Sequence, residues 1–251
     1  MIRRRTVVAL LLGISLSLVA CGTSESKKLQ VAAASSLAGA FEALGKAYTA
    51  KTGTEVSLIL SSSGKLQQQI REGAPYDVFA SANLSYLNDL ETSGDIAASS
   101  VRIYAEGRLA LWTKGVEAPA DLAALADKKF EHIAIANPEH APYGTAAREA
   151  LRSIGLWDSL ESRVVRGSNV RQAMQYVESG NAEVALIAHS LALHGGGSFT
   201  LVPSAMHKPL QQGIGIVAKT KKTAEAQAFL DFLVSEEGAK ILLPYGLSAP
   251  N

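Results

Sequence analysis

Residues 31–48, VAAASSLAGAFEALGKAY, change character in the middle. The part before Ser35 is small and apolar, which is typical of the end of a buried strand. After it, apolar residues recur at helical spacing, at Leu37, Phe41, Leu44 and Tyr48. The stretch therefore predicts a strand that enters a helix directly through two serines, with no Gly or Pro between them.

The same transition from strand to helix recurs three more times. It is found in LILSSSGKL (58–66), IANPEHAPYGTAAREAL (135–151) and RGSNVRQAM (166–174). The first N–H groups of a helix lack partners within the helix and carry partial positive charge, so several such ends together can bind an anion without Lys or Arg. Ser and Asn are also good helix N-caps, which explains each turn taken singly. Repetition in both halves of the chain makes a ligand site and simple capping equal alternatives.

Strands alternate with helices along the whole chain, which predicts open, parallel, doubly wound α/β architecture. The pattern restarts near residue 107, so we expect two units of about 100 residues. Predicted strands cover 29–34, 54–60, 76–81, 107–113, 132–137, 163–166, 183–188 and 213–219. The pattern predicts C-terminal helix over residues 224–243, and it leaves open which unit that helix packs against.

The N-terminus has the features of an export signal. MIRRR is a charged start, and TVVALLLGISLSLVA (6–20) is an apolar segment too short for a typical membrane span. The segment ends in LVAC (18–21), which resembles a bacterial lipobox with Cys21 as the lipidated residue. Cys21 is the only cysteine and has no disulfide partner within the chain. We expect a lipoprotein signal peptide at 1–20 and a polar tether at 21–28; a plain signal peptide is the alternative.

Charge and motifs exclude several classes of function. The net charge is +1, and without residues 1–20 the chain has 21 basic and 23 acidic residues. This balance gives no excess of positive charge, which argues against a nucleic-acid-binding protein. SSSGK lacks the first glycine of a phosphate loop, since position 59 is Ile, and no serine lies in a G-x-S-x-G motif. No metal-binding spacing connects the five histidines, His132, His140, His189, His194 and His207.

Five blocks of sequence resemble the substrate-binding lipoproteins of bacterial molybdate ABC transporters. They are AAASSLAGAF (32–41), SSSGKLQQQIREGAPYDVFASA (61–82), NPEHAPYGTAAREALRSIGLWDSL (137–160), NVRQAM (169–174) and LLPYGL (242–247). The resemblance implies a two-lobed periplasmic-binding-protein fold of type II, in which each lobe is a mixed sheet flanked by helices. It also implies two hinge crossings, near Gly107 and Gly213, with lobe 1 formed by 29–106 and 214–251 and lobe 2 by 107–213.

The resemblance also implies a site for a tetrahedral oxyanion. Ser36 and Ser62 match the family's hydroxyl donors, while Tyr143 and Val170 match backbone N–H donors. Many members of the family add a tyrosine hydroxyl at the position of Ala188, which this chain lacks. Ser35, Ser63 or the Tyr143 hydroxyl are candidates to replace it. No side chain is expected to ligate the metal directly, and no cofactor is expected.

The implied function is capture of molybdate, or tungstate, outside the cytoplasmic membrane for delivery to an ABC permease. The protein would be a monomer, held to the membrane by a lipid on Cys21, in the periplasm or on the outer face of the cytoplasmic membrane. A site made only of donors suits a fully deprotonated dianion, because hydrogen phosphate would need an acceptor for its proton. Two alternatives stay open: a receptor for sulfate or another oxyanion on the same fold, and a secreted serine hydrolase using Ser36 or Ser62.

Overall fold

A computed structural model of the chain describes residues 28–249. The predicted signal peptide and Cys21 lie outside the described residues, and Lys28, the end of the predicted tether, is the first residue of a strand. Ten strands are described: β1 (Lys28–Ala34), β2 (Glu55–Ser61), β3 (Val78–Ser81), β4 (Arg102–Gly107), β5 (Leu109–Thr113), β6 (Ile133–Ala136), β7 (Val164–Gly167), β8 (Val184–Ala188), β9 (Ser198–Leu201) and β10 (Leu210–Ile216).

Nine α-helices flank these strands within residues 28–249: α1 (Ala38–Thr52), α2 (Ser63–Arg71), α3 (Leu84–Thr92), α4 (Pro142–Ser153), α5 (Trp157–Leu160), α6 (Val170–Glu178), α7 (His189–Ala192), α8 (Thr223–Val234) and α9 (Glu236–Leu242). Short 3₁₀ turns add Ser35–Leu37, Ala123–Ala126, Glu161–Arg163, Ser204–Met206 and Leu243–Tyr245. None of the helices in this part of the chain is long and apolar enough to cross a membrane.

The strands form two five-stranded sheets with the same arrangement. The first has the order β2-β1-β3-β10-β4 and the second β7-β6-β8-β5-β9. In each sheet the first three strands are parallel, and the fourth, β10 or β5, runs antiparallel to both of its neighbours. The two-lobed fold with mixed sheets, expected from the resemblance, is confirmed. The wholly parallel sheet that the strand–helix alternation predicts is wrong because β5 and β10 arrive without a helical crossover.

The chain passes between the two sheets twice. The first passage is at Arg108, between β4 and β5, and the second lies within residues 202–209, between β9 and β10. Gly213 lies inside β10, where it pairs with Ser81 of β3, so the second passage comes earlier than the resemblance implies. The lobe boundaries themselves stay a prediction.

The C-terminal helices pack on the first sheet. Phe229 of α8 lies edge-on to Tyr48 of α1, with ring centroids 5.2 Å apart, and both rings are buried. The predicted continuous C-terminal helix is interrupted at Ser235, whose hydroxyl accepts the N–H of Gly238 and begins α9. The first lobe therefore combines early and late parts of the described chain.

Candidate functional site

Four strand–helix turns meet at a small cavity between the sheets. The first lobe contributes the turns after β1 and β2, and the second contributes the starts of α4 and α6. The lining includes Ser35, Ser36, Ser61, Ser62, Ser63, Tyr143 and Val170. The cavity volume is about 10 Å³, close to the ~10–15 Å³ that one water molecule needs. Since the lobes are closed here, any ligand must enter by separating them.

Ser36 presents an unpaired hydroxyl to this cavity. It lies in the 3₁₀ turn Ser35–Leu37, is 3 % exposed, and its Oγ has no hydrogen-bond partner among the described residues. Buried polar groups are almost always hydrogen-bonded, so an unpaired one needs an explanation. The neighbouring Ser35 is equally buried and lines the same cavity.

Ser62 and Ser63 have different roles at the start of α2. Ser62 is the residue before the helix, with extended backbone, yet its side chain makes no capping hydrogen bond. Its Oγ lies 2.9 Å from Nδ1 of His140 in the second lobe. Ser63 instead accepts the peptide N–H of Ala82 at 3.0 Å, a bond within the first lobe. The capping explanation therefore fails for Ser62, and Ser63 already has a structural partner.

The second lobe contributes backbone N–H groups. Tyr143 is the second residue of α4 and Val170 the first of α6, and N–H groups at these positions have no partner within a helix. The cap of α6 is Asn169, whose side chain accepts the N–H of Gln172. Capping thus explains Asn169, while Tyr143 and Val170 line the cavity beside the serines.

Tyr143 directs its phenol towards the hinge. Its hydroxyl accepts a hydrogen bond of 3.5 Å from Nε2 of Gln212 in β10. The same hydroxyl lies so close to Gly107 that a Cβ atom at position 107 would collide with it. Burial raises the pKa of this phenol well above its usual range. Ala188 is fully buried, pairs with Leu109 and does not line the cavity. No side chain of β8 supplies the hydroxyl that, by the resemblance, many members of the family carry at this position.

His140 is a residue of this site that motif searching did not find. Its Nδ1 contacts Ser62, and its carbonyl accepts the peptide N–H of Gly64 at 2.9 Å. Burial, and secondly the nearby Lys65, lower the pKa of the imidazole, which favours its neutral form. The available signal was the glycine of SSSG, which leaves room for a close approach by another backbone.

Ser190 makes a second contact between the lobes. Its hydroxyl donates to the carbonyl of Ser36 at 2.7 Å, and both residues are buried. Ser190 belongs to α7, directly beyond Ala188, a helix that the sequence did not predict. Each serine turn of the first lobe is therefore hydrogen-bonded to a side chain of the second.

Charged side chains stay outside the cavity. Lys65 and Arg171, which follow the candidate donors in sequence, are both exposed, and neither lines the cavity. Within residues 28–249, no group of three or more His, Cys, Asp or Glu side chains is placed to hold a metal ion. The arrangement can therefore hold a small anion by neutral hydrogen-bond donors and helix ends.

Comparison with known proteins gives a consistent set of similarities. Residues 29–248 match the family model described as bacterial extracellular solute-binding protein. The molybdate-binding protein ModA of Rhodobacter capsulatus is 34 % identical over 96 % of this chain and 94 % of its own. The periplasmic molybdate-binding protein of Azotobacter vinelandii superposes with a TM-score of 0.82 at 30 % identity, covering 89 % of this chain and all of that one. The sulfate-binding protein SubI of Mycobacterium tuberculosis, at 13 % identity over 89 % of this chain and 87 % of its own, shares the fold alone, with a TM-score of 0.76.

Proposed function

The chain belongs to the bacterial extracellular solute-binding proteins, and from this premise we propose that it captures molybdate outside the cytoplasmic membrane for an ABC importer. It is a binding protein and makes or breaks no bond in its ligand. Tungstate, which has the same charge and shape, is the second expected ligand.

We propose that the anion is held by the hydroxyls of Ser36 and Ser62 and the peptide N–H groups of Tyr143 and Val170. The observation that carries this proposal is the buried, unpaired Oγ of Ser36 beside a cavity lined by residues of both lobes. Ser35 is a further candidate donor, whereas the Ser63 hydroxyl is already bonded to Ala82. Neutral donors suit a dianion that carries no proton of its own.

The N-terminal sequence supports a proposal for the setting of the protein in the cell envelope. We propose that Cys21 is lipidated and that residues 21–28 tether a monomeric binding protein to the membrane, on its extracytoplasmic side. Mass spectrometry of the protein purified from membranes tests the anchor. A mature protein that begins at Cys21 with a diacylglyceryl mass is the expected result.

The ligand is tested by calorimetric titration with molybdate, tungstate, sulfate and phosphate on one preparation. We expect molybdate and tungstate to bind tightly and sulfate and phosphate weakly. Sulfate is smaller and must leave at least one of four donors unsatisfied in a site closed around the larger anion. Tight binding of sulfate with weak binding of molybdate would instead assign the protein to the alternative oxyanion receptors.

One observation favours a hydrolase, and it needs its own test. The contact of Ser62 Oγ with His140 Nδ1 is the nucleophile–base distance of serine enzymes. Such enzymes also need a third group that orients the histidine, and no carboxylate hydrogen bonds to His140 in the described part of the chain. The adjacent Glu139 is paired with Arg148 at 2.7 Å. We expect no hydrolysis of activated esters beyond that of a Ser62→Ala control.

A further inference from the structure

We propose that His140 is a positioning residue. Its ring orients the hydroxyl of Ser62 towards the bound anion, and its two hydrogen bonds hold the second lobe against the first. This inference rests on the proposed function, because it assigns Ser62 to the anion. His140 would join the residues needed for anion binding without contacting the anion itself. It also gives a role to the glycine of the SSSG motif.

Two hydrogen bonds join His140 to the turn that begins α2. The ring nitrogen Nδ1 lies 2.9 Å from Ser62 Oγ, and the carbonyl oxygen lies 2.9 Å from the nitrogen of Gly64. The contact joins positions 78 residues apart, one in each lobe. Opening the cleft must break both bonds, so they form only in the closed state.

Gly64 is the residue that permits this contact. A Cβ atom at position 64 would lie 2.7 Å from the His140 carbonyl oxygen and 2.9 Å from its Cβ, closer than real atoms approach. The His140 carbonyl belongs to backbone, so it cannot move aside as a side chain could. A substitution here blocks closure while leaving every proposed anion donor in place.

The direction of the hydrogen bond links the ring to the anion. A serine hydroxyl has one proton, so Ser62 can donate to the anion only if His140 Nδ1 carries a proton and donates to Ser62 Oγ. Without the anion, Ser62 can donate to an unprotonated Nδ1. Anion binding therefore selects the ring form that is protonated at Nδ1, and the ring in turn aims the serine proton into the cavity.

The test is a double-mutant cycle in molybdate affinity with Ser62→Ala, His140→Ala and both together. We expect His140→Ala to lower affinity about threefold to tenfold, and Ser62→Ala about tenfold or more. If His140 acts through Ser62, the double variant binds no more weakly than Ser62→Ala.

His140→Asn places an amide nitrogen near the position of Nδ1 and should restore affinity to within about threefold of wild type. Gly64→Ala should weaken binding, mainly by faster dissociation of the anion, although all of the proposed anion donors remain in place.

His132→Ala is the matched control, because His132 is exposed, lies in the same lobe and contacts no residue of the cavity. It should bind as wild type does. Wild-type affinity in His140→Ala, or losses that multiply in the double variant, would overturn the proposal while leaving molybdate as the ligand.

A measurement without ligand separates this inference from the proposed function. The ¹⁵N shifts of the His140 ring are compared in ligand-free wild type and Ser62→Ala, and we expect the Nδ1 shift to move. If wild type binds none of the four anions, the proposed function fails, and the ring shifts still decide whether His140 and Ser62 are joined. Unchanged ring shifts would show that they are not.

Discussion

The hydroxyls of Ser36 and Ser63 are both buried, yet only the Ser63 hydroxyl has a partner in the protein. We therefore expect opposite effects from two alanine substitutions. Ser36→Ala should cost about 1.5–3 kcal/mol in molybdate binding, a loss of roughly tenfold or more, and leave the ligand-free unfolding free energy unchanged. Ser63→Ala should destabilise the ligand-free protein by about 1–3 kcal/mol, because it leaves the N–H of Ala82 buried and unpaired. Calorimetric titration and urea unfolding of both variants measure the two effects; destabilisation by Ser36→Ala would contradict the first.

His189 gives a prediction about pH. Burial, and secondly Arg108, lower the pKa of this imidazole in the folded protein. In the unfolded chain a histidine titrates near its ordinary pKa of ~6.5. Below that pH the unfolded state binds more protons, so stability falls as the pH drops through 6.5 towards the lower folded pKa. The melting temperature of wild type should decline from pH 7.5 to 5.5, and His189→Gln should decline less steeply. Equal slopes would contradict the assignment.

The sequence could predict some residues of the candidate site and not others. Ser36 and Ser62 follow from serines placed where a strand enters a helix, together with the family resemblance. His140 could not be predicted in this way, because its partners Ser62 and Gly64 are remote in sequence and meet it only when the lobes close. The direction of the Tyr143 phenol depends on Gln212 in β10, which sequence spacing cannot place.

Helix starts and serine turns, rather than charged side chains, surround the cavity, and this fixes how binding should respond to salt. Lys65 and Arg171 are exposed and outside the cavity. Screening acts mainly on exposed charges and little on buried hydrogen bonds. Molybdate affinity should therefore change less than about threefold between 20 and 300 mM sodium chloride, measured by titration at constant pH. A steep, continuous loss of affinity would indicate that a surface cation holds the anion.

The elements that the sequence predicted well are those with a buried apolar pattern. β6 and β8 are fully buried runs, and their predicted bounds differ by one residue from those observed. β4 was missed because it is an edge strand whose first residues, Arg102 and Ile103, are exposed and break the pattern. The short β9 lies at the other sheet's edge, and its side chains are only half-buried.

Ligand binding should stabilise the whole molecule, since the proposed anion donors come from both lobes. A ligand that binds only the folded state at 100 times its dissociation constant adds about 2.7 kcal/mol. For a chain of this size, that corresponds to a rise of about 5–10 °C in melting temperature. Differential scanning calorimetry with excess molybdate measures it, and sulfate at the same concentration is the control. An unchanged melting curve with molybdate would contradict molybdate as the ligand, without contradicting the fold.

The two-lobed architecture was predictable only with the family resemblance. Alternating strands and helices indicate two α/β units, but no local pattern shows that β10 leaves the second unit and joins β3 and β4 of the first. The buried faces of α8 and α1 explain the return, because Phe229 fills the space beside Phe41 and Tyr48. Such pairing between distant segments is a property of the folded molecule and not of any short stretch.

The interleaved first sheet limits the order in which the two sheets can be completed as the chain is delivered. The strands of the second sheet lie within one continuous segment, residues 109–201, whereas β4 pairs with no strand of its sheet except β10. A chain that emerges N-terminus first therefore holds β4 and the edge of β3 unpaired until residues 210–216 have been delivered. The second sheet, in the middle of the chain, can therefore be completed before the first, so the serine turns after β1 and β2 are among the last parts to reach their final surroundings.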